Sequence, residues 1–244
     1  MKEIEIAFIG GSGLYKIPNF KNSKWIEVST NFGKTSSKIC IGSLNGKNIA
    51  FLPRHGLDHN ISPSKINYRA NIEALKKINV QNIVSISAVG SLREDYKPSD
   101  FVLVDQFIDK TFLREKSFFD EDCVAHIPMA SPICENLKKI SSKALENLKL
   151  NFHSAGTYIC IEGPQFSTLA ESNLYRSWKA DVIGMTNMPE AKLAREAEIR
   201  YASVSMVTDF DCWHPDHENV DVQQVIKVLL GNAEKAKIMI KNLI

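Results

Sequence analysis

Two aspartates stand at i and i+2 in Thr208-Asp209-Phe210-Asp211, directly after the apolar run Val204-Ser205-Met206-Val207. On an extended segment, side chains at i and i+2 point to the same side. Two close carboxylates raise the pKa of one of them. An unperturbed Asp is only about one part in a thousand protonated at neutral pH. A coupled, partly buried Asp can therefore act as a general acid where a lone exposed one cannot. The plain alternative is a solvated acid pair or a helix N-cap. His214 and His217 follow within a few residues, so Asp-x-Asp with His-x2-His would give mixed oxygen and nitrogen metal ligands. Pro215 constrains that pair and the arrangement matches no familiar metal-site spacing, so a metal is set aside.

A second group of residues suits an anion. Gly10-Gly11-Ser12-Gly13 follows the run Ile6-Ala7-Phe8-Ile9. Glycines there let the backbone turn sharply, and exposed N–H groups can cradle an anion. A dinucleotide fingerprint needs a third glycine, but Lys16 occupies that place. Gly33-Lys34-Thr35 resembles the end of a P-loop, but Val28 stands where its first glycine belongs. Without a ligand, the first turn is simply tight. Arg54-His55-Gly56 follows Ile49-Ala50-Phe51-Leu52-Pro53. Arg offers a planar fork to phosphate oxygens, and His55 can add a donor. An isolated Arg-His is otherwise a surface basic pair. His55-x3-His59 would suit metal only on a helix, which Pro53, Gly56 and Pro63 disfavour. Ser87-Ala88 and Thr186 offer hydroxyls and bare amides that can complete a phosphate pocket. His126 lies in a loop-like Ala125-His126-Ile127-Pro128 and carries no signal alone.

These residues must be held by elements that bring strand ends together. Ile6–Ile9, Ile49–Leu52, Ile83–Ala88, Phe101–Val104, Tyr158–Ile161 and Val204–Val207 are apolar runs without strict alternation, which suggests a sheet covered on both faces. Pro63 opens a helix carrying Ile66, Ala70, Ile72 and Leu75. Thr168 with Glu171 reads as a capping box ahead of Leu174 and Trp178. Pro189-Glu190 opens another helix. Val222, Val225, Ile226, Leu229 and Leu230, then Ala233, Ala236 and Ile240, mark a long amphipathic helix. Strands interleaved with helices predict an α/β fold with a mixed central sheet flanked by helices, in one domain over residues 1–244. In such folds ligands bind beyond the carboxyl ends of strands.

The composition of the 244 residues fits that expectation. Hydrophobic residues at 44% and charged residues at 24% indicate a globular chain that buries most of its surface. A net charge of +2 is too near zero to argue for nucleic acid or membrane as a partner, and neither is expected. Five cysteines without a CxxC pair fit a reducing compartment. Met1-Lys2-Glu3-Ile4-Glu5 is no signal peptide, and no apolar run reaches the roughly 20 residues of a membrane span. The expected location is the cytoplasm.

Taken together, the chain resembles the trimeric purine nucleoside phosphorylase superfamily, in its 5′-methylthioadenosine phosphorylase branch. The resemblance rests on an ordered set of stretches along nearly the whole chain. They are Ile9–Leu14, Arg54-His55-Gly56, Pro63–Asn71, Gly90–Arg93, Asp105–Asp109, Ile161–Ser167 and Thr208–Trp213. It implies phosphorolysis of S-methyl-5′-thioadenosine to adenine and 5-methylthioribose 1-phosphate, with inorganic phosphate as co-substrate and no metal or organic cofactor. It implies a homotrimer or a dimer of trimers. It implies a phosphate site from Ser12, Arg54, His55, Ser87, Ala88 and Thr186. Phe166 would stack near the purine, Met185 would lie against the ribose, and Asp209 and Asp211 would face the purine N7 and exocyclic amine. Ser167 and Val222 would shape the base and 5′ pockets. Val225 and His126 would lie near the 5′ substituent, His126 reaching a neighbouring subunit's site.

The chemistry is consistent with those roles. Glycosidic cleavage builds oxocarbenium character on the sugar. The leaving purine needs a proton or hydrogen bond at N7, for which Asp209 is the candidate acid. A carboxylate accepts from a 6-amino group, so the pair favours adenine. On this reading Arg54→Ala mainly weakens phosphate affinity. Three features depart from the pattern. Ser12 replaces a threonine. Gly184 stands where a larger amide side chain is common, leaving a base or ribose contact missing or supplied by water. The chain ends at Ile244, where longer relatives carry a segment that helps close the site around the 5′-methylthio group. The alternatives are a phosphorylase of 6-oxopurine nucleosides or S-methyl-5′-thioinosine, a non-catalytic nucleoside sensor, and a metal-dependent hydrolase.

Overall fold

Among the described residues the apolar runs form the centre of one eleven-stranded sheet. The structure, a computed structural model, describes residues 4–11, 14, 17, 19–215 and 222–244, the side chains of Val222 and Gln224 excepted. The first strands are β1 (Ile6–Gly10), β2 (Lys21–Ile26), β3 (Ile39–Leu44), β4 (Lys47–Pro53) and β5 (Asn82–Ser91). Then come β6 (Phe101–Val104), β7 (Gln106–Asp109), β8 (Phe152–His153), β9 (Thr157–Cys160), β10 (Val182–Gly184) and β11 (Arg200–Asp209). The main path runs β2-β3-β4-β1-β5-β10-β9-β7, while β11 pairs with β5 and β6, and β6 with β8. The β1–β4, β1–β5 and β5–β11 pairs are parallel, whereas β5–β10 and β6–β11 are antiparallel, so the sheet is mixed.

Strand β5 opens the space for a ligand. Its first half pairs with β1 through Ile83–Ile86, and its last residues, Gly90 and Ser91, pair with β10. Between these partners no strand covers Ser87–Val89 on that side among the described residues. The strand itself runs on to Ser91, beyond the expected stop at Val89-Gly90.

The helices are α1 (Tyr68–Lys77), α2 (Glu135–Asn147), α3 (Leu169–Ser177), α4 (Glu190–Glu196) and α5 (Val222–Leu243). The helix expected from Pro63 is two pieces. Pro63–Lys65 is a 3-10 turn, and Ile66 is extended, with ψ 127°. Asn67 then caps α1 by accepting from Ala70 N at 3.0 Å. Helix α3 carries the capping box read from the sequence, with Thr168 and Glu171 exchanging bonds. Pro189 precedes α4. α1 packs on α4, and α2 packs on α5, with both α2 and α5 against β11. On α5, Ala233, Ala236, Met239 and Ile240 are buried, whereas Ile226 and Leu230 nearer its start are exposed. No helix among the described residues is long and apolar enough to cross a membrane.

Candidate active site

A cavity of about 560 Å³ lies past the carboxyl ends of β1, β4 and β10, over the uncovered stretch of β5. It gathers most of the residues singled out in the sequence. Arg54, His55, Ser87, Ala88 and Thr186 line it, as do Phe166, Ser167, Met185, Asp209, Asp211 and Val225. Gly11, Leu14 and Leu229 also contribute. Ser12 lies outside the described residues, as does the side chain of Val222, the first residue of α5. His126 is exposed in the segment between β7 and α2 and is not part of the cavity wall.

Arg54 is placed by strand pairing. Gly10 at the end of β1 faces Pro53 at the end of β4, and Arg54 N donates to the Gly10 carbonyl at 2.9 Å. The guanidinium is then largely consumed inside the protein. Nε donates to Glu190 at 2.8 Å, Nη2 to Ser85 Oγ at 2.6 Å and to the Ile9 carbonyl at 3.3 Å, and Nη1 to the Ile86 carbonyl at 3.2 Å. Arg54 is 1% exposed and Glu190 2%. A guanidinium has five N–H donors, so this leaves one on Nη1 for a ligand rather than an open fork. The expectation that Arg54→Ala acts mainly on phosphate affinity is therefore corrected. Removing Arg54 strips a buried carboxylate of its partner.

Glu190 is the centre of a buried polar network that the sequence did not reveal. Ser85 Oγ and Tyr201 OH donate to its Oε1 at 2.6 and 2.9 Å. Asn187 accepts from Ser203 at 2.7 Å and donates to Ser85 at 3.1 Å. Every member is paired, which is what makes such a network tolerable in a core. Residues from β5, α4 and β11 contribute, far apart in sequence, so no local pattern marks them.

His55 follows in a turn allowed by Gly56, whose φ is +77° and whose Cβ, if present, would meet Asn60 Oδ1 at 2.7 Å. His55 Nδ1 lies 2.8 Å from the Ile61 carbonyl oxygen. Burial first, then the Arg54 charge, push its pKa down to about 4. The ring is thus neutral at pH 7. Because a carbonyl only accepts, Nδ1 holds the hydrogen. Nε2 is then an acceptor, not the donor expected from the residue type.

Asp209 and Asp211 sit together at the other end, but not by the pleat of a strand. β11 ends at Asp209 after a register shift against β5, and Asp211 lies in a turn with φ +54°. Asp211 N donates to Asp209 Oδ1 at 2.8 Å, and Thr208 Oγ1 donates to Oδ2 at 2.7 Å. Both bonds favour the charged carboxylate, but burial outweighs them and raises the Asp209 pKa. Burial also raises Asp211, the Ser172 bond opposing and the Asp209 charge adding. Ser172 Oγ, from α3, donates to Asp211 Oδ2 at 2.5 Å. Trp213 seats the turn by donating from Nε1 to the Ser91 carbonyl at 2.7 Å, with Arg176 over its ring. A raised Asp209, in a cavity that the half-exposed Phe166 also lines, can hold and deliver a proton to a flat base.

The wall between the two ends is held by a second buried pair. Arg114 Nε donates to Glu162 Oε1 at 3.1 Å, and its Nη1 donates to the carbonyls of Met185 and Met188 at 2.7 and 2.6 Å. Glu162 also accepts from Ser64 Oγ and from the N–H groups of Phe112 and Leu113. Those bonds, with the Arg114 charge, overcome burial and hold the carboxyl at about 2. Gly184 is explained by its neighbour. A Cβ there would lie 2.1 Å from the Tyr158 hydroxyl, which also accepts from Thr186 N at 3.3 Å. Side-chain volume absent at 184 is thus supplied from β9. Among the described residues no cluster of His, Cys, Asp and Glu has the geometry of a metal site.

Comparison with known proteins assigns this arrangement to a family. The model of the phosphorylase superfamily matches residues 5–244. An S-methyl-5′-thioadenosine phosphorylase of Rhodospirillum rubrum is 57% identical over 236 residues, covering 97% of this chain and 80% of the relative. One from Thermofilum pendens is 48% identical over 244 residues, covering 100% and 92%. Among solved structures, a methylthioadenosine phosphorylase from an antarctic soil metagenomic library superposes with a TM-score of 0.95 at 50% identity, covering 100% of this chain and 86% of that one. The Schistosoma mansoni methylthioadenosine phosphorylase in complex with adenine gives 0.93 at 37% identity, covering 99% and 91%.

Proposed function

The chain belongs to the phosphorylase superfamily, and on that footing we propose that it is a pentosyltransferase that cleaves S-methyl-5′-thioadenosine with inorganic phosphate, giving adenine and 5-methylthioribose 1-phosphate. The observation that carries this reading is a single cavity with two chemically distinct ends. Arg54, His55, Ser87, Ala88 and Thr186 line it, with Arg54 bonded at Ile86, while Asp209 and Asp211 lie against Gly90, four residues farther along β5. Phosphate at the first end faces the sugar, where its charge stabilises the oxocarbenium character that develops as the bond to the base lengthens. Asp209, with its raised pKa, gives a proton to purine N7 as the base departs. Asp211 accepts from the 6-amino group with the oxygen not held by Ser172.

Phe166 and Ser167 border the base, Met185 the ribose, and Val225 the 5′ substituent. Phosphate is the second substrate, and the reaction so written uses no metal or organic cofactor. The five cysteines are free, which fits a cytoplasmic enzyme. Phe112, Leu113 and Val124, each at least 70% exposed, supply apolar surface for a homotrimer.

The test is base release from S-methyl-5′-thioadenosine and S-methyl-5′-thioinosine, with and without phosphate. Adenine released only with phosphate is expected. Hypoxanthine release alone sinks the adenine preference, and phosphate-independent release sinks phosphorolysis. Asp209→Ala is expected to lower kcat by about 10²–10⁴-fold while phosphate still binds.

A further inference from the structure

The phosphate end of the cavity offers no net positive charge among the described residues. Among the described residues Arg54 is the one permanent cation on the wall, and Glu190 at 2.8 Å cancels it. Arg114, behind the wall, is cancelled in the same way by Glu162 at 3.1 Å. The remaining charged groups of the cavity, Asp209 and Asp211, are acids. A phosphate dianion placed here would sit without compensation, and buried groups in that situation change protonation instead.

His55 is built to receive the proton. Its Nδ1 hydrogen is fixed on the Ile61 carbonyl, and Ile61 N donates back to the His55 carbonyl at 3.2 Å. Its ring stacks on His59, with centroids 4.5 Å apart. Nε2 therefore carries a lone pair in the neutral ring, and it has no hydrogen-bond partner among the described residues. Burial first, then Arg54, His59 and Arg114, press toward the neutral form, against the Ile61 carbonyl. Only an anion in the cavity reverses that balance.

Resting on the phosphorolysis reading, we infer that the site takes phosphate together with a proton, which lies between a phosphate oxygen and Nε2 of His55. From H2PO4−, one proton passes to Nε2 and leaves HPO4 2− beside an imidazolium. An oxygen of that dianion bonds to C1′ as the C1′–N9 bond breaks. The electron pair of that bond leaves with the purine, which takes the Asp209 proton at N7. The sugar phosphate departs as a monoanion. His55 then releases its proton to solvent and Asp209 takes one back. Nucleoside and H2PO4− thus give adenine and the sugar phosphate monoanion, with atoms and charge balanced.

Calorimetric titration of the full chain with inorganic phosphate, in two buffers of different ionisation heat at alkaline pH, tests this. Free phosphate is there almost entirely dianion, its second pKa lying near neutrality and above the value of about 6 for a phosphomonoester. Uptake of about one proton per phosphate is expected, with Kd weakening about tenfold per pH unit. His55→Asn keeps a donor for Ile61 but has no basic nitrogen to take up a proton, so its uptake is expected near zero, with a Kd independent of pH in that range. Wild-type binding without uptake overturns the inference and leaves phosphorolysis standing. Uptake that persists in folded His55→Asn places the proton elsewhere and overturns it too. No phosphate binding, by calorimetry or as a shift in melting temperature, overturns the phosphorolysis reading and the inference with it.

Discussion

The molecule contains two buried arginine–glutamate pairs that do different jobs. Arg54 and Glu190 join the end of β4 to the start of α4, and their other partners are largely core groups on β1, β5 and β11. Arg114 and Glu162 join loops, and their partners are mostly backbone groups of residues 112, 113, 161, 162, 185 and 188. The first pair is part of the interior on which the sheet and helix α4 depend. The second sets the shape of the loops that carry Met185 and Phe166. Burial alone does not distinguish them; the kind of partner does. A charge matched by core side chains is a matter of folding, and a charge matched by loop carbonyls is a matter of where those loops stand.

Removing one side of each pair tests the contrast. Arg54→Ala leaves Glu190 charged in the core and is expected to cost about 3–5 kcal/mol, read by urea or thermal unfolding. An Arg54→Ala protein of normal stability but weak phosphate binding would break the comparison. Arg114→Ala is expected to cost about 2 kcal/mol, because Glu162 keeps its other donors. Its larger signature is kinetic: a KM for nucleoside raised about tenfold through displaced loops, with phosphate affinity within about twofold. Equal changes in both constants would mean that Arg114 acts on the whole cavity.

The smallest effect is in acid. Glu162 is held at about 2 against an ordinary 4.5, so its contribution to stability is complete above 4.5 and is lost as pH falls toward 2. The melting-temperature gap between wild type and Glu162→Gln is expected to be constant above about pH 5 and to shrink below 4.5. A gap that widens in acid would show that the carboxylate is not stabilised by its donors.

Much of this fold was legible because its centre is apolar in sequence. β1, β4, β5, β6, β9 and β11 each contain a run expected to be a buried strand. β2, Lys21–Ile26, is mainly polar and exposed, and β8 and β10 span two and three residues, too short for a period to register. Such strands exist because a neighbour supplies their hydrogen bonds. The site divides in the same way. Strand-end residues such as His55 and Asp209 could be picked out from position and type. What they do once folded depends on Ile61, Glu190, Thr208 and Ser172, contacts that no spacing encodes. The turn at Asp211 brought the two carboxylates together by a route different from the extended one expected.

The Tyr158–Gly184 contact imposes an order on change. One space is claimed by two positions, since a Cβ at 184 would fall 2.1 Å from the Tyr158 oxygen and 2.6 Å from its Cζ. Variation at 184 is closed while the tyrosine stands, so any route to an amide side chain there must pass through residue 158 first. Gly184→Asn alone is expected to be disruptive and Tyr158→Val alone to leave a hole. The double substitution is expected to be milder than the sum, the sign of two sites that can only move as one.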